Sequence, residues 1–255
     1  MIKRTPNWVM YKNSVELSTR KKQILKTMGV PVWSARRQIA GEKEVAHPAS
    51  AEVRVSENFH DEDNAEITTE ASWGLLEQQV TDCKACELHL SRTNAVFGVG
   101  AHQADLMIIG EAPGQDEDLQ AEPFVGNAGQ LLNQMLFALG FFRKDVFIAN
   151  ILKCRPPNNR DPLPEEIIAC SGFLTQQINY IKPKVLLSVG GVSAKNILHT
   201  DERIGKLRGR VLTHEETSTP LIATYHPAYL LRAPSEKRKV WKDLLLVKKL
   251  LNETS

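Results

Sequence analysis

The stretch ADLMIIGEAPG, residues 104–114, decides how the rest of the chain is read. An unbroken apolar run closes on Gly110, and a turn rich in glycine and proline follows at once. Continuous apolar character without alternation is what a strand buried on both faces requires. Three further runs repeat the pattern: DVFIANI (145–151), KVLLSVG (184–190) and PLIATYH (220–226). Helical periodicity fills the gaps between them. In GNAGQLLNQMLFALG, the residues Leu131, Leu132, Met135, Leu136 and Leu139 share one face, and Gly140 ends the helix. LPEEIIACSGFLTQQINYI opens with Pro164, Glu165 and Glu166, which suit a helix N-terminus. From Ser235 to Leu251, Val240, Leu244, Val247 and Leu251 recur at helical spacing. Strands alternating with helices predict a three-layer α/β/α sandwich over a mostly parallel central sheet. Ligands of such sheets sit beyond the carboxyl ends of the strands.

The loops at those ends hold the residues with chemical potential. GEAPG (110–114) makes a tight turn whose backbone N–H groups can face a ligand. Glu117 and Asp118 follow it and read most simply as solvated loop charge. Phe124 sits in EPFVGN (122–127), between a proline and a glycine just ahead of a helix. HPAYLLR (226–232) closes the last strand, and a histidine there is well placed for catalysis. Asn150 ends the second strand; its amide can cap a helix, or read a base by offering donor and acceptor together.

The four cysteines are Cys83 and Cys86, a C-x-x-C pair, then Cys154 and Cys170. The chain shows no apolar run near the roughly 20 residues of a membrane span and no signal-peptide h-region, so the expected compartment is the cytoplasm. Structural disulfides are disfavoured there. Tetrahedral thiolates suit zinc or an iron–sulfur cluster equally, and the spacing does not choose between them. Either would tie three separate segments together.

A net charge of +2 conceals segregation along the chain. Residues 1–37 carry nine Lys/Arg and one acid, Glu16, whereas residues 38–70 carry nine acids and two bases. The acidic stretch has no sustained period and reads as a flexible linker. Upstream of it, KKQILKTMGVPVWSARR (21–37) sets Leu25, Met28, Val30 and Trp33 among basic residues, with Gly29 closing a helical turn. This arm either packs on the body at 71–255 or docks on a partner with Trp33 as its anchor.

Taken together, CKAC (83–86), GEAPG (110–114), PFVGNAGQLL (123–132), NILKCRPP (150–157), the helix bearing Cys170 and HPAYLLR (226–232) resemble the family 4 uracil-DNA glycosylases. The resemblance covers about residues 75–250. It implies removal of uracil from DNA by an enzyme with a [4Fe–4S] cluster on Cys83, Cys86, Cys154 and Cys170. It also implies that Phe124 stacks on the flipped base, Asn150 bonds its polar edge and His226 donates to O2. Gly110, Glu111 and Ala112 fall in the motif that shapes the water and sugar site. Glu117 matches an acid lying against the base, where a wall against the C5 methyl of thymine is expected. Ala112 stands where better-known members of the superfamily have an aspartate, so no strong general base is expected at that position. Tyr229, Leu230, Leu231 and Arg232 match the loop that enters the DNA helix to fill the vacated space. A monomer acting on single- or double-stranded DNA is expected. Alternatives are a glycosylase of broader deaminated-base scope, or a catalytically weak uracil-DNA-binding or cluster-bearing sensor. Separately, LKTMGVPVWSAR (25–36) resembles the N-terminal peptide of the psi subunit of bacterial DNA polymerase III, which implies docking on the clamp loader. The competing reading of the arm is non-specific DNA affinity through its cations.

Overall fold

The computed structural model describes residues 72–253, so the basic arm and the acidic stretch lie outside the described residues. The first half runs α1 (72–81), α2 (Leu88–Ser91), β1 (Val99–Gly100), β2 (Leu106–Gly110), α3 (Gln115–Gln120), α4 (Asn127–Leu139) and β3 (Phe147–Asn150). The second half runs α5 (Pro164–Ile181), β4 (Val185–Val189), α6 (Gly191–Ile197), α7 (Ile204–Leu207), β5 (Val211–Thr213), β6 (Pro220–Thr224), α8 (Pro227–Arg232) and α9 (Lys237–Glu253).

The four apolar runs pair as parallel strands in the order β3-β2-β4-β6, as their unbroken apolar character predicts. Two short antiparallel strands, β1 beside β3 and β5 beside β6, complete the six-stranded sheet. Both faces are covered. Met107, Ile109, Phe147 and Leu186 pack toward α1 and α5, where Trp73 meets Phe97 and Phe147 edge-on at 5.1 and 5.4 Å. Leu106, Ile108, Ile148 and Leu187 face the opposite layer, filled by Leu132 and Leu136 of α4 and by Val240, Leu244 and Val247 of α9. The result is the three-layer α/β/α sandwich expected from the sequence.

Helix ends follow local chemistry. Gly140 takes φ +94° and returns its N–H to the carbonyls of Leu136 and Phe137, ending α4 as anticipated. Pro164 opens α5, and Glu166 accepts the N–H of Leu163 at 2.8 Å.

From β2 the chain crosses to β3 on one side and then to β4 on the other, so strand order reverses at β2. A crevice forms at the carboxyl ends of strands where such a reversal occurs. The register places Gly110 directly beside Asn150 at that edge, and Val189 beside Thr224.

A buried ion pair secures the end of β6. Asp243 of α9 is fully buried and accepts a fork from Arg208, at 2.8 and 3.1 Å, plus the hydroxyl of Thr224 at 2.6 Å. Removing one partner of such a pair leaves an uncompensated buried charge. Arg208→Met is therefore expected to lower folding stability by about 3–5 kcal/mol, read as a fall in the urea midpoint. An unchanged midpoint would show that the pair contributes nothing to holding β6.

Candidate functional site

A cleft of about 540 Å³ opens at the carboxyl edge of the sheet. Glu111, Ala112, Glu117, Phe124, Asn150 and His226 line it, as do Tyr229 and Arg232 at its α8 side. Residues distant in sequence and singled out from it thus converge on one cavity.

The β2 turn and the Phe124 loop are joined by Glu117. Its carboxylate accepts the N–H of Gly114 at 3.1 Å, of Val125 at 3.0 Å and of Gly126 at 3.3 Å. The side chain is therefore engaged in holding both turns, a different task from the solvated charge read in the sequence. Asp118 also departs from that reading: it is buried and accepts the N–H groups of Thr93 and Asn94. Phe124 lies in the left-handed region at φ +54°. Arg143 holds this conformation by donating to the carbonyls of Pro123 and Phe124 while pairing with Glu122 at 2.9 Å. The Phe124 ring stacks on the His226 ring with centroids 5.6 Å apart and an interplanar angle of 28°. A side chain at Gly110 would run into the Phe124 ring and the Asn150 amide, so only glycine lets the two close over the strand end.

Asn150 is 2% exposed, yet its Oδ1 has no hydrogen-bond partner among the described residues. A buried acceptor left unmet costs about 1–3 kcal/mol. An amide in that condition, on the wall of a cleft, is set to receive a donor from a ligand.

Burial shapes the titration of His226 and of Glu111. His226 is held down to about pKa 4, chiefly by desolvation and then by Arg232, with Glu117 acting in the opposite direction. It is accordingly neutral at pH 7. Its Nδ1 accepts the N–H of Ala228 at 3.1 Å as the cap of α8, which leaves the ring proton on Nε2. Glu111 is pushed up to about 7, first by burial and second by Asp161. A carboxyl group beside Ala112 thus titrates near neutrality.

The segment matched to a DNA-entering loop is helical, with Pro227 at its first position. Its four residues do not act together. Leu230 is 1% exposed and packs into the α4/α9 core layer, so it is unavailable to DNA. Leu231 turns toward a separate shallow recess beside Leu131. Tyr229 and Arg232 face the cleft. Pro156, Asn159 and Arg160 also line it and were not singled out from the sequence. Their signal was present in PPNNR, since Asn158 and Asn159 adopt φ of 56° and 53°, a conformation asparagine tolerates well.

None of the four cysteines is in a disulfide, and all line one small cavity with Val80, Lys153 and Phe173. The end of α1, the end of β3 and the middle of α5 meet there. Arg92 donates to Sγ of Cys154 at 2.9 Å, and the N–H of Lys153 donates to Sγ of Cys170 at 3.3 Å. Arg92 and the Lys153 N–H favour the thiolate forms of Cys154 and Cys170, but burial acts the other way and is the larger effect, raising Cys154 and pushing Cys170 up to about 11. No set of three His, Cys, Asp or Glu side chains among the described residues is drawn together around a single metal ion. Four sulfur donors from three segments on one cavity suit a thiolate-held metal centre.

The family model for the uracil DNA glycosylase superfamily matches residues 97–245, and the chain belongs to it. More particularly, the chain is 42% identical over 172 residues to the type-4 uracil-DNA glycosylase of Archaeoglobus fulgidus, covering 65% of this chain and 86% of that one. It is 43% identical over 185 residues to that of Saccharolobus solfataricus, covering 70% and 86%. Against the Thermotoga maritima type-4 enzyme it is 40% identical over 189 residues, 73% of this chain and 98% of that protein.

Proposed function

We propose that this protein hydrolyses the N-glycosidic bond of uracil in DNA and so initiates base excision repair. The observation that carries the reading is the buried, unpartnered Oδ1 of Asn150 beside Phe124 and a neutral His226. An enzyme acting on a base must take it out of the stack and hold it in a close pocket. There Phe124 offers its face to the flipped ring. Oδ1 of Asn150 accepts the N3–H of uracil, and the amide NH₂ donates to O4. Cytosine inverts both positions, so it would leave the amide facing like groups. As the glycosidic bond breaks, negative charge gathers on uracil O2, and Nε2–H of His226 donates to it without bringing a net charge. Preorganised donors of this kind contribute about 3 kcal/mol to the transition state. Glu111, in its carboxylate form, accepts a proton from the water that attacks the sugar carbon. Its raised pKa supplies the base that Ala112 cannot. Tyr229 and Arg232 contact the strand from which the base departs.

The four cysteines suit a [4Fe–4S] cluster, which would fasten α1, the end of β3 and α5 to one another. Its contribution would be structural: Asn150 lies four residues before Cys154, so the tie would fix the strand end that reads the base. The domain order proposed is a basic arm (1–37), an acidic tether (38–70) and the catalytic body (71–255), acting as a cytoplasmic monomer. No helix among the described residues is long and apolar enough to cross a membrane. The arm would recruit the enzyme to the replisome by docking residues 21–37 on the clamp loader. A tether of about 30 residues, if it behaves as a random coil, would span about 30 Å r.m.s. and concentrate the enzyme near its partner. Affinity for purified clamp loader should fall at least about tenfold in Trp33→Ala, the size of one interface anchor; unchanged affinity would remove the docking role.

The chemistry has a pH signature. Glu111 is a carboxylate only above its pKa of about 7, whereas His226 is already in its neutral donating form above about 4. The single-turnover rate should therefore rise through neutrality with one apparent pKa near 7, and this limb should vanish in Glu111→Gln. His226→Ala should lower the rate about 10²–10³-fold at every pH. A rate that climbs as pH falls below 6 would contradict a neutral His226.

A further inference from the structure

Lys153 is 1% exposed, between the strand end that carries Asn150 and the four cysteines. Its ammonium donates to the main-chain carbonyl of Asn150 at 2.9 Å and to Oε1 of Gln177 at 2.6 Å. Both acceptors are neutral. Gln177 passes its own N–H to the carbonyl of Phe97 at 2.9 Å, so the amide is held in place from behind. No carboxylate pairs with Lys153 among the described residues.

A buried ammonium without a countercharge is strongly unfavourable, and a nearby anion offsets that cost. With a cluster bound, the nearest anions would be its cysteine thiolates. Lys153 directly precedes Cys154, its backbone N–H donates to Sγ of Cys170 at 3.3 Å, and it lines the cavity shared by all four cysteines. One residue therefore touches the sulfur set with its backbone and Asn150 with its side chain.

We propose that Lys153 is the positioning residue that couples the cysteine-held cluster to the uracil-reading amide, its ammonium balancing the thiolates while fixing the carbonyl of Asn150. The inference rests on the cluster and excision readings above. A positive charge beside a cluster favours the more negative, reduced form, so deleting the charge lowers the reduction potential. A residue that only fills space would leave that potential where it was.

The test compares anaerobically purified wild-type, Lys153→Met and Lys153→Arg proteins. It measures iron per chain, the cluster midpoint potential and single-turnover release of uracil from a single-stranded oligonucleotide. Lys153→Met is expected to keep its iron, to show a lower potential and to release uracil about 10- to 100-fold more slowly. Lys153→Arg, which keeps the charge, is expected to stay near the wild-type potential. Loss of iron by Lys153→Met alone, with Lys153→Arg loaded, supports the same countercharge role. An iron-loaded Lys153→Met with the wild-type potential or the wild-type rate overturns the proposal. So does equal loss of iron by both variants, which marks packing alone. Wild-type protein that releases uracil but holds no iron overturns the cluster reading and this inference with it, leaving the excision reading standing.

Discussion

Gly110 and Asn150 lie side by side at the ends of two parallel strands, and the rest of the cleft is arranged around that adjacency. The missing side chain at Gly110 lets the Phe124 ring and the Asn150 amide approach over the sheet edge. Phe124 then needs a backbone conformation that is unfavourable for a side chain, and Arg143 and Glu117 hold its loop through main-chain contacts. The amide ends up buried with an acceptor unmet. A structure that tolerates such a cost at a cavity wall reserves the group for something that enters.

The same burial acts on the two titratable groups in opposite directions, because desolvation disfavours whichever form is charged. It keeps His226 neutral and keeps Glu111 protonated until near neutrality. One histidine can thus donate a hydrogen bond to a developing anion while a carboxylate nearby accepts a proton. Neither task needs an aspartate at the position of Ala112. In the proposed mechanism, electrostatic stabilisation of the leaving base is the larger effect, and Glu111 serves as the base that Ala112 cannot provide.

The central strands and the long helices were legible because burial on both faces writes itself as unbroken apolar runs, and one-sided burial as helical spacing. The edge strands β1 and β5 were not, since two and three half-exposed residues carry no period. α1 escaped notice for another reason: Trp73 is explained by Phe97, Phe147 and Tyr180, which come from far along the chain. At the site, residue identities were readable but their geometry was not. Leu230 was grouped with its neighbours as a DNA-contacting loop, whereas the helical turn begun by Pro227 sends it into the core. Glu117 was legible as a site residue, but the three N–H groups it accepts belong to turns whose proximity only the fold creates. The titration of Glu111 likewise depends on Asp161, brought near by the loop after Cys154.

The claim on which everything else stands is that the Asn150 amide reads the polar edge of uracil. Its most direct test is calorimetric titration of free uracil and free cytosine into the wild-type protein and Asn150→Ala. Saturable binding of uracil, undetectable binding of cytosine, and loss of uracil binding in the variant are predicted. Equal binding of both bases, or uracil binding that survives Asn150→Ala, would contradict the account.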